Sequence, residues 1–180
     1  ENAATRTVVY TATASDPDAG DTLTYSLSGT DAGAFSIDSA TGQVRLAASA
    51  NFEAKSSYSI NVVATDQGGL SASKAVTINV TNVNEAPTIT SGATGTVAEN
   101  AVTSTVVYTA TASDPDAGNT LTYSLSGTDA GAFNINSTTG AVTLKASADY
   151  ETKSSYSINV VATDQGGLSG SMPPNQPLPM

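Results

Sequence analysis

YSINVVATDQGGL, residues Tyr58–Leu70, recurs unchanged as Tyr156–Leu168. Within it Tyr58, Ile60, Val62 and Ala64 alternate with Ser59, Asn61, Val63 and Thr65. Alternation with a period of two puts successive side chains on opposite faces of a strand. The run stops at Asp66, and the glycine pair Gly68-Gly69 that follows reads as a turn. One decamer further out behaves the same way. TATASDPDAG occupies Thr11–Gly20 and again Thr109–Gly118. Aligning Glu1 with Glu99 gives a period of 98 residues. Roughly four aligned positions in five are identical, which is an internal repeat by any criterion. A period of that length is too long for a solenoid unit and matches a domain of about 100 residues, so the chain is a tandem pair.

The rest of each repeat reads as short strands. Val76, Ile78 and Val80 of SKAVTINV share a face, as do Leu23, Tyr25 and Leu27. Val8, Tyr10, Ala12 and Ala14 are expected together on one face of TVVYTATA. Ser39-Ala40-Thr41-Gly42 separates FSID from QVRL and needs a glycine at positive φ. No window sustains a 3.6-residue period, so helix content is expected to be near nil. The fold class is all-β: two tandem Greek-key β-sandwich domains, end to end. The phase of the repeat sets the boundaries: residues 1–85 for repeat 1 with its linker, residues 86–170 for repeat 2, and a Pro-rich tail at 171–180. Repeat 1 has no counterpart of TITSGATGTV, Thr88–Val97, and so lacks a first strand. Repeat 2 has no counterpart of Val76–Val80 and so lacks a last strand. The tail holds four of the seven prolines and cannot serve as a central strand. It reads as foreign to the fold or as an extended polyproline-like arm. Open edges with apolar faces invite self-association through strand pairing, or coverage of repeat 2 by the tail.

Composition narrows function. There is no Cys, His or Trp. Disulfides, thiol or imidazole nucleophiles, imidazole or thiolate zinc sites and haem are therefore excluded. Sixteen Asp and Glu against six Lys and Arg give a net charge of −10. Such a chain repels nucleic acid and anionic membranes. No apolar run reaches the ~18 residues a membrane span needs. A start at Glu1 rather than Met reads as a piece cut from a longer polypeptide.

The carboxylates gather where strands stop. Glu99 precedes a strand, Asp114-Pro115-Asp116 ends one, Asp149-Tyr150-Glu151 lies in a connection, and Asp164 ends the strand from Tyr156. Acidic groups collected at the pole of a sandwich repel unless a cation sits among them. Their hard oxygen donors suit Ca²⁺, which takes six to eight oxygens in flexible geometry.

These elements resemble cadherin-type repeats, specifically the cadherin-like domains of large bacterial surface and secreted proteins. The resemblance is carried by AEN at Ala98–Asn100, by ATASDPD, and by F-x-I-x-x-x-T-G-x-V at Phe35–Val44 and Phe133–Val142. It is carried further by NFE and DYE, by YSINVVATDQGG, and by NVNEAP in the linker. It implies a non-catalytic, Ca²⁺-rigidified spacer or adhesion segment, extracellular or on the cell surface. Its partners would be calcium ions and other cadherin-like repeats or cell-surface proteins. The implied ligands are Glu1 and Glu53 at the lower pole of repeat 1, Asn82, Asn84 and Glu85 in the linker, and Asp114, Asp116 and Asp164 at the upper pole of repeat 2. The sets Asp16, Asp18, Asp66 and Glu99, Asp149, Glu151 would be half-sites. Asn51 stands where the family's D-x-E has its first carboxylate, and Asn82 replaces a leading Asp in the linker.

Two other functions compete. A carbohydrate-binding module, with polysaccharide as partner, needs an exposed aromatic platform; only Tyr10, Tyr108, Phe52 and Tyr150 are candidates. A two-carboxylate glycosidase needs a cleft, and nothing in the pattern suggests one.

Overall fold

The computed structural model describes residues 1–18 and 20–172, together with the backbone of Leu178–Pro179. Beyond that short pair, the expectation for the Pro-rich tail after Met172 lies outside the described residues. The chain divides into two compact units, Glu1–Val83 and Asn84–Met180.

The described residues of unit 1 form six strands: β1 Val8–Thr11, β2 Thr24–Ser28, β3 Phe35–Ile37, β4 Gln43–Leu46, β5 Ser57–Thr65 and β6 Ser71–Asn79. They form two antiparallel three-stranded sheets, ordered β1-β4-β3 and β2-β5-β6. Helix is confined to a three-residue 3-10 turn at Ala32–Ala34, as expected. The core lies between the sheets, where Phe35, Val44, Leu46, Ile60, Val62 and Val76 are buried. Each large apolar side chain so buried contributes about 1.5–3 kcal/mol. Across the layers the Phe35 ring meets Tyr58 edge-on at 5.3 Å and 86°. Beside that pair, Lys55 bridges to Asp31 at 2.5 Å and lies 5.1 Å from the Tyr58 ring.

One face assignment needs correction. Val8 is 40% exposed while Val9 packs on the core. The register between β1 and β4 slips between Val8 and Tyr10. A bulge adds one residue to the strand and so exchanges the faces on either side of it. Unit 2 repeats the device: Val106 is exposed and Val107 buried. Gly42 behaves as expected. Its φ is +69°, and a Cβ there would sit 2.6 Å from the Ala12 carbonyl oxygen, so only glycine closes this turn.

Unit 2 carries β7 Thr88–Ile89, β8 Val106–Thr109, β9 Ala112–Ser113, β10 Thr122–Ser126, β11 Phe133–Ile135, β12 Ala141–Leu144, β13 Ser155–Tyr156, β14 Asn159–Thr163, β15 Ser169–Ser171 and β16 Leu178–Pro179. Two sheets, β11-β12-β8 and β10-β14-β15, reproduce the sandwich. Its core includes Val97, Val107, Phe133, Val142 and Leu144. Its two ends differ from unit 1. At the start, β7 pairs with β9. At the end, nine paired positions between β5 and β6 are reduced to three between β14 and β15. The two-residue β16 then pairs with β13, setting Leu178 opposite Tyr156 where unit 1 sets Ile78 opposite Tyr58. The end of the tail thus supplies a short edge strand, a position that tolerates proline.

Candidate metal centre

In unit 2 the acidic pole forms where β9 and β14 end. Asp114 follows β9 directly. Its Oδ1 accepts the Asp116 backbone N–H at 2.9 Å and the Asn119 amide at 3.1 Å. Its Oδ2 is buried and accepts no hydrogen bond from the described residues. Asp116 is 8% exposed, and its Oδ2 accepts the Glu85 N–H at 2.9 Å. Asp164, at the end of β14, is 6% exposed. Its Oδ1 accepts the Leu168 N–H at 2.8 Å, and its Oδ2 accepts the Asn84 amide at 2.7 Å. Burial opposes the charge on Asp164, but hydrogen bonds from Asn84 and the N–H groups of Leu168, Gly167 and Gly166 outweigh it and hold its carboxyl below the usual value. A Cβ at Gly166 would stand 2.7 Å from the Asn84 amide nitrogen, so glycine is what lets Asn84 reach Asp164. Five of the expected ligands, Asn84, Glu85, Asp114, Asp116 and Asp164, therefore assemble at one pole of unit 2.

The other three belong to unit 1. The Glu1 carboxylate accepts the N–H of Phe52 and the N–H of Val83, each at 2.8 Å. Its ammonium group donates to the Thr81 carbonyl at 2.6 Å. Glu1 thereby ties the N-F-E loop to the segment after β6. Glu53 and Asn82, next in sequence to Phe52 and Val83, are exposed. Asn51 caps its own loop, its Oδ1 accepting the Ala54 N–H at 2.6 Å. Asp149 has the same task in unit 2. There the Thr152 hydroxyl and neighbouring backbone N–H groups hold its carboxyl below the usual value.

The upper pole of unit 1 differs from expectation. Asp16, Asp21 and Asp66 each place a carboxylate oxygen within 4.8 Å of the others. Asp18 is not in this trio. Its N–H folds back onto Asp16 Oδ1 at 2.8 Å. That turn carries the chain on through Gly20, at φ +102°, to Asp21. Unit 2 has Asn119 at the matching position, and its amide donates to Asp114. Asp21 was legible only as the one acidic residue that the D-P-D-A-G motif adds in repeat 1 but not in repeat 2. At such separations, two carboxylates repel by about 3–4 kcal/mol at an effective dielectric of 20, less where water intervenes.

Each unit is thus a small antiparallel sandwich with carboxylates gathered at one pole. The cadherin domain model matches residues 1–81 and 93–178, and the chain belongs to the cadherin domain family. Human protocadherin Fat 4 is 36% identical over 176 residues, covering 92% of this chain and 4% of that protein. The wing polarity protein stan of Drosophila melanogaster, a protocadherin-like protein, is 35% identical over 176 residues, covering 91% of this chain and 5% of that protein. The chain thus spans about one twentieth of these relatives. Among solved structures, repeats 22–24 of mouse cadherin-23 superpose with a TM-score of 0.68 at 32% identity, covering 96% of this chain and 58% of theirs. Cadherin domains are non-enzymatic adhesion modules, extracellular or on the cell surface, and in general they bind Ca²⁺.

Proposed function

We propose that this chain is a calcium-binding cadherin module, serving as a Ca²⁺-stabilised spacer or adhesion segment of a larger surface or secreted protein. The observation that carries the reading is the buried Asp114 Oδ2, which accepts no hydrogen bond from the described residues while two further buried carboxylates stand at the same pole. A buried carboxylate oxygen left without a donor costs free energy. A divalent cation with oxygen ligands would answer it, and Asn84, Glu85, Asp114, Asp116 and Asp164 offer the donors Ca²⁺ prefers. Glu1, Glu53 and Asn82 at the lower pole of unit 1, and Asp16, Asp21 and Asp66 at its upper pole, are further acidic sets for the same ion. Calcium would neutralise these poles, and other cadherin repeats are the partners the family supports. The relatives named above are animal proteins and lend no support to the bacterial origin expected from the sequence. The comparisons give no support to polysaccharide as a partner either. The Tyr108 hydroxyl, one of the aromatic candidates, is engaged with Ser91 and Gly92. Isothermal titration of the chain with Ca²⁺, against a matched Mg²⁺ control, tests the reading. Saturable heat with Ca²⁺ supports it; no heat would remove it.

A further inference from the structure

The tripeptide Asn-x-Ser/Thr, with x other than proline, occurs twice, at Asn79-Val80-Thr81 and at Asn136-Ser137-Thr138. In a chain of the cell surface or secreted space it is the acceptor sequence for N-linked glycan. The structure separates the two copies. Asn79 ends β6, opposite Ser57 of β5. The Val80 N–H donates to the Ser56 carbonyl at 2.9 Å, and Val80 packs against the core of unit 1. Drawing that tripeptide out would pull an apolar side chain from the core. Asn136 follows β11 directly, at the tip of its hairpin with β12, and Asn136, Ser137 and Thr138 are all exposed. Its Oδ1 accepts the Thr138 N–H and the Thr139 N–H, each at 3.0 Å. Its Nδ2, the other arm of the planar amide, takes no part in those bonds. Unit 1 builds the same turn on a carboxylate. There Asp38 Oδ1 accepts the Ala40 N–H at 3.0 Å and the Thr41 N–H at 2.9 Å. Between Phe35–Gly42 and Phe133–Gly140 three positions differ, and two of them, Asp38 against Asn136 and Ala40 against Thr138, complete the tripeptide. The turn uses only the side-chain oxygen. The two exchanges keep that oxygen and add an amide nitrogen and a hydroxyl that these hydrogen bonds do not use.

We propose that Asn136 is the acceptor for an N-linked oligosaccharide, in preference to Asn79. The donor is an oligosaccharide carried on a polyprenyl diphosphate, and the transferase is that of a secretory pathway. In the transfer Nδ2 bonds to C1 of the first sugar as the bond from C1 to the diphosphate oxygen breaks. The lipid diphosphate leaves with the electron pair, and Nδ2 gives up one proton to a base. The product is still an amide, so Oδ1 remains an acceptor and both hydrogen bonds of the turn survive. Exposure of all three residues lets the folded unit carry the glycan without moving a core side chain. The inference rests on the extracellular setting of the family and not on calcium.

The test secretes the full chain from cultured animal cells behind a signal peptide and verifies its fold by circular dichroism. Peptide N-glycosidase in heavy-oxygen water then converts each glycosylated Asn to isotopically labelled Asp, read site by site by mass spectrometry. Expected are label at Asn136 well above that at Asn79, and a loss of apparent mass on enzyme treatment. Thr138→Ala should abolish the label at Asn136 and leave the turn intact, because Ala40 holds that position in unit 1. Asp38→Asn together with Ala40→Thr should add a labelled site at position 38. Unlabelled Asn136 in the secreted, folded chain overturns the proposal. So does label at Asn79 equal to or above that at Asn136, label at Asn136 that persists in Thr138→Ala, or no gain at position 38 in the double substitution.

Discussion

Asp116→Ala is the sharpest perturbation of the proposed calcium site. The carboxylate is 8% exposed and accepts the Glu85 N–H at 2.9 Å. In chelator its loss leaves that N–H without its acceptor, at a cost of about 1–3 kcal/mol. In calcium a second loss adds to the first. At free ion about a hundredfold above Kd, one site contributes about 2.7 kcal/mol. If losing one carboxylate weakens binding about a hundredfold, about 0.4 kcal/mol remains. The calcium-dependent part therefore falls by about 2.3 kcal/mol. For a domain of this size that corresponds to about 9–18 °C in the calcium-induced shift of Tm. Asp18→Ala is the control. Asp18 is exposed, and what it donates to Asp16 is a backbone N–H that alanine keeps. It should alter the shift by no more than about 0.5 kcal/mol. The assay is thermal melting by circular dichroism in calcium and in chelator, with hydrogen exchange to assign the transition to unit 2. A full calcium-induced shift in Asp116→Ala, or an equal loss in Asp18→Ala, would refute the assignment of the ion to this pole.

Further expectations concern the same molecule. Mg²⁺ should shift Tm less than Ca²⁺ at matched concentration, because it sheds water reluctantly and demands a tight octahedron; equal shifts would argue against a specific site. Gly42→Ala should destabilise unit 1 by about 1–2 kcal/mol from its left-handed φ alone, plus the clash with Ala12; Gly33→Ala, with open space around it, should be nearly neutral in the same urea titration. Asp31 and Asp129 have carboxyls held below the usual value of 3.8 by hydrogen bonds from Lys55 and Lys153 and from the Ser59 and Ser157 N–H groups. A depressed folded value contributes stability that is complete above the unfolded value and lost as pH falls through the folded one. The urea midpoint should therefore drop below about pH 4, and Lys55→Met with Lys153→Met should flatten that drop; an unchanged slope would dismiss the ion pairs as its source.

The alternation in Tyr58–Thr65, the exact recurrence of Thr11–Gly20 at Thr109–Gly118, and the placing of Asp114, Asp116 and Asp164 at strand ends are properties of neighbouring residues. A strand's faces and its stopping points are local, and a tandem repeat is visible by comparison of the chain with itself. All-β architecture, the two-domain organisation and the acidic poles could therefore be read without coordinates. Which side of β1 faces the core could not, because the bulge between Val8 and Tyr10 is set by the register against β4 some thirty-five residues away. Nor could the exchange of Asp18 for Asp21 at the pole of unit 1, which depends on how one turn folds back onto Asp16. The pairing of Asn84 with Asp164 joins residues 80 positions apart, and that of Leu178 with Tyr156 bridges a proline-rich stretch whose composition argued for an arm. Tertiary structure decided three of these because each depends on the free energy of a long-range contact, and the turn at Asp18 because its fold-back onto Asp16 leaves no mark in an alternation pattern.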